Sequence, residues 1–108
     1  MEKEIKRFGD IDERWYDIDE WVSVKDILGK DILIQDVKEL EGEYGKYCMI
    51  KFTTELETID EKGNPRPLIY ALTTGAKVIM KKVMSAKEKG LLPLTGCIKK
   101  VKRYYDIV

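Results

Sequence analysis

The side chains with chemistry to offer are of few kinds, and many lie near the end of the chain. Lys99, Lys100, Lys102 and Arg103 form a basic run that passes at once into Tyr104 and Tyr105. Upstream, Tyr47, Met49 and Lys51 alternate through the string KYCMIKFTT, with Lys46 at its head, and Tyr70 lies in LIYALTT. Sequence-tolerant capture of a single nucleic-acid strand needs cations for the phosphates, aromatic rings for stacking, and loops that close over the strand. This chain supplies all three. Other chemistries are poorly served. There is no histidine, so the common proton carrier near neutral pH is missing. Cys48 and Cys97 have 48 residues between them, form no CxxC pattern and sit in apolar strand patterns. They read as small buried hydrophobes, and no zinc ligand set is expected. Gly42, Gly45, Gly63 and Gly75 fall at turns and make no phosphate-binding loop. The expectation is a binding protein without catalytic residues, metal or cofactor.

The formal charge of zero hides a strong asymmetry. Residues 1–61 carry 18 acidic and 9 basic side chains, whereas residues 62–108 carry 2 acidic and 11 basic. The local field, not the sum, governs association with a polyanion. The competing reading of the same split is a domain with one acidic and one basic side, a self-associating or protein-binding module without nucleic acid. The basic helix face of Lys77, Lys81, Lys82 and Lys89 reads as a solvated surface. The N-terminus, MEKEIKRFGDIDERW, lacks the apolar stretch of a secretory signal. No apolar run approaches the ~20 residues of a membrane-spanning helix. These features predict a cytoplasmic protein of a bacterial cell or phage host.

The elements that must position these residues follow from periodicity. At 108 residues and 44% hydrophobic composition, the chain has material for one modest core. Residues 1–20 show neither strand nor helix period and read as an acidic, partly ordered arm bearing Trp15 and Tyr16. Residues 21–108 are the folded domain. Ser23–Leu28 has the start signals of one short turn, stopped by Gly29. Lys30–Lys38 is a strand in which Ile32 and Ile34 alternate, then Val37 falls one residue out of phase, as a bulge produces. A hairpin connection follows over Glu39–Gly45. Lys46–Thr54 places Cys48, Ile50 and Phe52 on a core face and Tyr47, Met49 and Lys51 outward. Glu55–Pro67 reads as a long mobile hairpin loop. Leu68–Thr74 is a third strand, and Ala76–Lys89 a helix buried along Ile79, Val83 and Ala86, closed by Gly90. Leu94–Lys102 and Tyr104–Val108 complete the order β-β-β-α-β-β. This is an all-β fold with one helix, a five-stranded OB-type barrel.

The strings WVSVKDILGKDILIQDVKELEGEYGKYCMIKF, LTTGAKVIMKKV and LPLTGCIKKVKRYYDIV resemble a family of small OB-fold proteins from bacterial phages and mobile elements, typified by single-stranded DNA binders. The likeness covers residues 21–108. It rests on Gly29 of LGK, on Thr73–Gly75 before the helix and on Tyr104–Asp106 at the close. It departs from the tetrameric bacterial single-strand binders in lacking their acidic C-terminal tail. The resemblance implies a role in DNA replication or recombination. The expected contacts are stacking on Tyr47, Tyr70 and Tyr105, support from Met49, and phosphate contacts from Lys46, Lys51, Lys100, Lys102 and Arg103. RNA is equally compatible, because such contacts do not read the 2′-hydroxyl.

Overall fold

Alternation of apolar side chains through the central strands dictates a sheet with one buried face. A computed structural model describes residues 17–108. Its elements are β1 (Glu20–Trp21), a single 3-10 turn (Val24–Ile27), β2 (Asp31–Gly42), β3 (Gly45–Ile59), β4 (Pro65–Thr74), α1 (Lys77–Glu88), β5 (Leu94–Val101) and β6 (Tyr104–Ile107). They make a six-stranded sheet in the order β1-β4-β3-β2-β5-β6, with α1 crossing from β4 to β5. The helix packs Ile79, Met80, Val83 and Ala86 against the sheet. The core joins Ile32, Ile34 and Val37 of β2, Cys48, Ile50 and Phe52 of β3, and Tyr70 and Leu72 of β4 to Ile98 and Ile107.

The phase slip in β2 is a bulge. The β2–β3 register shifts between Ile34 and Asp36, which leaves Gln35 outside the ladder and returns Val37 to the core. Bending at that point lets one strand serve two partners. The first part of β2 pairs with β5 (Asp31↔Cys97 to Ile34↔Leu94), whereas the β3 ladder continues to Gly42↔Gly45. Only Glu43 and Tyr44 separate β2 from β3, and Gly45 takes a φ of 117° that a side chain would strain. The hairpin thus closes in two residues, later than the expected start at Glu39.

Two expectations are corrected. There are six strands, and the sheet stays open with β1 and β6 as its edges. The extra strand is Glu20–Trp21, which pairs in parallel with Tyr70–Ala71 and so occupies the edge of β4. Asp19 and Glu20 of the expected arm are thereby tied to the edge of β4, and the part of the arm with Trp15 and Tyr16 lies outside the described residues. The second correction concerns Glu55–Pro67. It is no long loop, because β3 runs on to Ile59 and β4 begins at Pro65. Asp60 builds the short turn between them, its carboxylate accepting from the amides of Lys62 (2.9 Å) and Asn64 (2.8 Å). A register shift between Thr53 and Glu57 absorbs the twist of so long a hairpin. No helix among the described residues is long and apolar enough to cross a membrane.

Candidate nucleic-acid interface

The outward face of β3 carries Tyr47, Met49 and Lys51, opposite the buried Cys48, Ile50 and Phe52. Tyr47 and Met49 are half-buried. The Tyr47 ring leans over Gly42, where an added Cβ would meet Cε1 at 3.0 Å. Lys46 is exposed but pairs across the ladder with Glu41, and Glu43 lies in the adjoining turn. Carboxylates at this hairpin therefore offset the cation meant for phosphate.

Lys51 is not a loose cation either. Its ammonium contacts a carboxylate oxygen of Asp17 at 2.9 Å. Around it a groove of about 600 Å³ is lined by Gln35, Asp36, Thr53, Arg66 and Lys87. Each cation there faces an aspartate. Arg66 is held by Asp19 at 2.8 Å, and the Lys87 ammonium sits 3.3 Å from Asp36. Lys87 also donates to the Val37 carbonyl beside the bulge. This lysine of the last turn of α1 thus reaches across to β2. A phosphate entering the groove would have to displace carboxylates already in place.

Tyr70 is corrected outright. It is 8% exposed and stacks on Phe52, with centroids 5.4 Å apart and planes 14° from parallel. Phe52 and Tyr70 are opposite each other in the β3–β4 register and share the core face. Tyr105 is also corrected as an open platform, because it packs against the edge of the core. Its neighbour Tyr104 is the exposed ring, at 47%. The β5–β6 register explains which is which. Ile98↔Ile107 points inward, so Lys100↔Tyr105, two residues along, keeps that phase, and Val101↔Tyr104 takes the opposite face.

Lys100, Lys102 and Arg103 do come together. Lys102 and Arg103 form the two-residue turn between β5 and β6, ahead of the expected strand end, and Lys102 takes a φ of 55°. Lys99 stands opposite Asp106. That carboxylate is answered by Lys82 of α1 at 2.7 Å, an ion pair that pulls the Asp106 carboxyl below its ordinary range. The helix face beside Lys82 also presents Lys81, whereas Lys77 lines the hollow at the Gly42–Gly45 hairpin. The hairpin and the adjoining helix turn thus carry one neutralised acid, six cations (Lys81, Lys82, Lys99, Lys100, Lys102 and Arg103) and an exposed aromatic ring.

The sequence-predicted site thus divides. Tyr47 and Lys46 lie at the Gly42 end of β2, whereas Lys100, Lys102 and Arg103 lie beyond its Asp31 end. One strand of nucleic acid crossing β3 and β4 does not collect them all.

Comparison with protein-family models, curated proteins and solved structures finds no match to this chain. The site is therefore judged on its own geometry. Both cysteines are buried, and burial, aided by the nearby Glu39 charge, pushes the Cys48 thiol up to about 11. It is a packed side chain rather than a nucleophile. No group of three or more potential metal ligands occurs among the described residues. Lys99, Tyr104 and Lys82 are the surface residues missing from the predicted contact set. The signal for Tyr104 was present in the alternation counted back from Ile107, once the turn at Lys102–Arg103 is known.

Proposed function

We propose that this chain is an OB-type module that binds single-stranded nucleic acid, with its contact surface on the β5–β6 hairpin and the outer face of α1. The OB reading is supported by connectivity. A β2-β3-β4 meander is followed by one helix, a strand that returns to the first half of β2, and a closing hairpin. One observation carries the ligand reading. Lys99, Lys100, Lys102 and Arg103 crowd a single hairpin whose only carboxylate, Asp106, is already paired, and an exposed Tyr104 sits among them. Cations there neutralise phosphates, and the ring stacks on a base without reading its identity.

Fluorescence anisotropy with labelled oligo-dT, repeated with oligo-U, tests the reading. Wild-type protein is expected to bind both at low salt, with a slope of about 0.7 in log K per phosphate contact. Tyr104→Ala is expected to lose ~1–3 kcal/mol of binding, the usual worth of one stacked base. Tyr47→Ala is expected to lose less. If neither oligonucleotide binds at low salt, the assignment fails.

A further inference from the structure

The two long hairpins at one end of the sheet carry opposite charge. The β3 register reaches Leu33↔Thr53 and runs on past the start of β2, and the β5 register reaches Asp31↔Cys97 and does the same on the other side. The β3–β4 and β5–β6 hairpins therefore project from the same end, flanking Asp31. The first presents exposed Glu55, Glu57 and Glu61 against a single exposed cation, Lys62. The second presents Lys99, Lys100 and Arg103, also exposed. Among the described residues no ion pair joins one hairpin to the other.

Each hairpin also exposes apolar side chains beside its charges. Leu56 and Ile59 are 55% and 67% exposed on the acidic one, and Val101 and Tyr104 are 36% and 47% exposed on the basic one. A contact between the tips would bury this apolar surface beside the charges.

We infer that a second copy of this chain docks end to end on this surface, as a two-fold dimer. A two-fold axis passing between the hairpins sets each acidic hairpin against the partner's basic one, and does so twice, which closes the assembly. Opposite potentials steer the encounter and fix its register. Two hairpin tips bury little area, and contacts under about 1,200 Å² in total belong to weak, transient association. The dimer is accordingly concentration-dependent and salt-sensitive. The inference goes beyond the nucleic-acid reading and does not rest on it. The two meet at the β5–β6 hairpin, so an oligonucleotide and a partner copy exclude each other there.

Sedimentation velocity of the full chain, over a concentration series at about 50 mM and about 500 mM salt, reads this directly. Wild type is expected to form dimers at low salt and to dissociate at high salt. E57K/E61K and K100E/R103E are each expected to associate at least ~10-fold more weakly, since every contact then sets like charges together. Mixed in equal amounts, the two variants are expected to restore the dimer, because the heterodimer re-pairs both contacts. That restoration also shows that each variant is folded. A wild type that stays monomeric at low salt overturns the inference. So does a mixture of variants, folded by circular dichroism, that fails to associate, and so do species larger than dimers. Oligo-dT binding at protein concentrations where wild type is monomeric separates the two readings, since E57K/E61K leaves the β5–β6 hairpin intact and is expected to bind at least as tightly as wild type.

Discussion

Asp19 grips Arg66 with both carboxylate oxygens, each at 2.8 Å, and one of those oxygens also accepts from the Ile69 amide at 2.8 Å. The Asp19 amide in turn donates to the Ile69 carbonyl at 2.8 Å, and Val22 donates to the Ala71 carbonyl at 3.0 Å. One acidic side chain thus fastens the entering chain to the edge of β4 and aligns β1 beside Tyr70. A bidentate fork of this kind is specific to arginine.

The latch sets a pH dependence. The Arg66 guanidinium and the Ile69 amide hold the Asp19 carboxyl below its ordinary 3.8, at about 2. A carboxylate whose folded pKa is depressed stabilises the fold above its unfolded pKa and loses that contribution as pH falls through the folded value. The contribution is therefore complete above about pH 4 and disappears as pH falls toward 2. The pair is partly exposed, so solvent screening keeps it to ~1 kcal/mol. Asp19→Asn is expected to lower stability by that amount at pH 7 and to flatten this stretch of the acid limb. Urea unfolding at pH 7, 4 and 2.5 measures both effects, and equal loss at all three would remove Asp19 as the source.

The two adjacent roles of tyrosine separate by substitution. Tyr70→Ala removes a buried ring stacked on Phe52 and is expected to cost ~3–5 kcal/mol of stability. Tyr104→Ala removes an exposed ring and is expected to change stability by less than about 0.5 kcal/mol. Oligonucleotide affinity is expected to respond in the reverse order, with Tyr104→Ala weakening binding and folded Tyr70→Phe leaving it unchanged. Thermal denaturation together with anisotropy separates the two. A destabilised Tyr104→Ala would place that ring in the core instead.

Lys102 holds a backbone conformation that favours glycine. Its φ of 55° opens a two-residue turn, and a positive φ at the first position alone is the type II′ pattern. An ordinary side chain there costs ~1–2 kcal/mol, part of which glycine forfeits through its freer unfolded chain. Lys102→Gly is expected to raise stability by ~0.5 kcal/mol. The same substitution removes a cation and is expected to reduce the salt slope of oligonucleotide binding by about 0.7. Stability and binding then move in opposite directions, as they do where a strained residue serves a function. A stability loss would show that Lys102 makes a contact beyond its turn.

The sequence by itself determined the elements whose period is strong. The alternation Cys48, Ile50, Phe52 marked the core face of β3, the displaced Val37 marked the bulge, and Ile79, Val83 and Ala86 marked the buried stripe of α1. Those signals are local, because a pleat or a helical turn is read within a few residues. It also determined the charge asymmetry, which is a matter of composition. What it left open was every relation between distant segments. Glu20–Trp21 has too few residues to show a period, and is a strand where Asp19 meets Arg66, 47 positions away, and the chain pairs with Tyr70–Ala71. Glu55–Ile59 reads as loop because its charges mask a ladder that exists only once Pro65–Pro67 lies opposite. The tertiary structure alone decided that Tyr70 faces Phe52 and that Lys51 meets Asp17, and it placed the turn at Lys102–Arg103 from which alternation leaves Tyr104 rather than Tyr105 exposed. Alternation fixes which residues share a face, but which face meets the core depends on the register between strands.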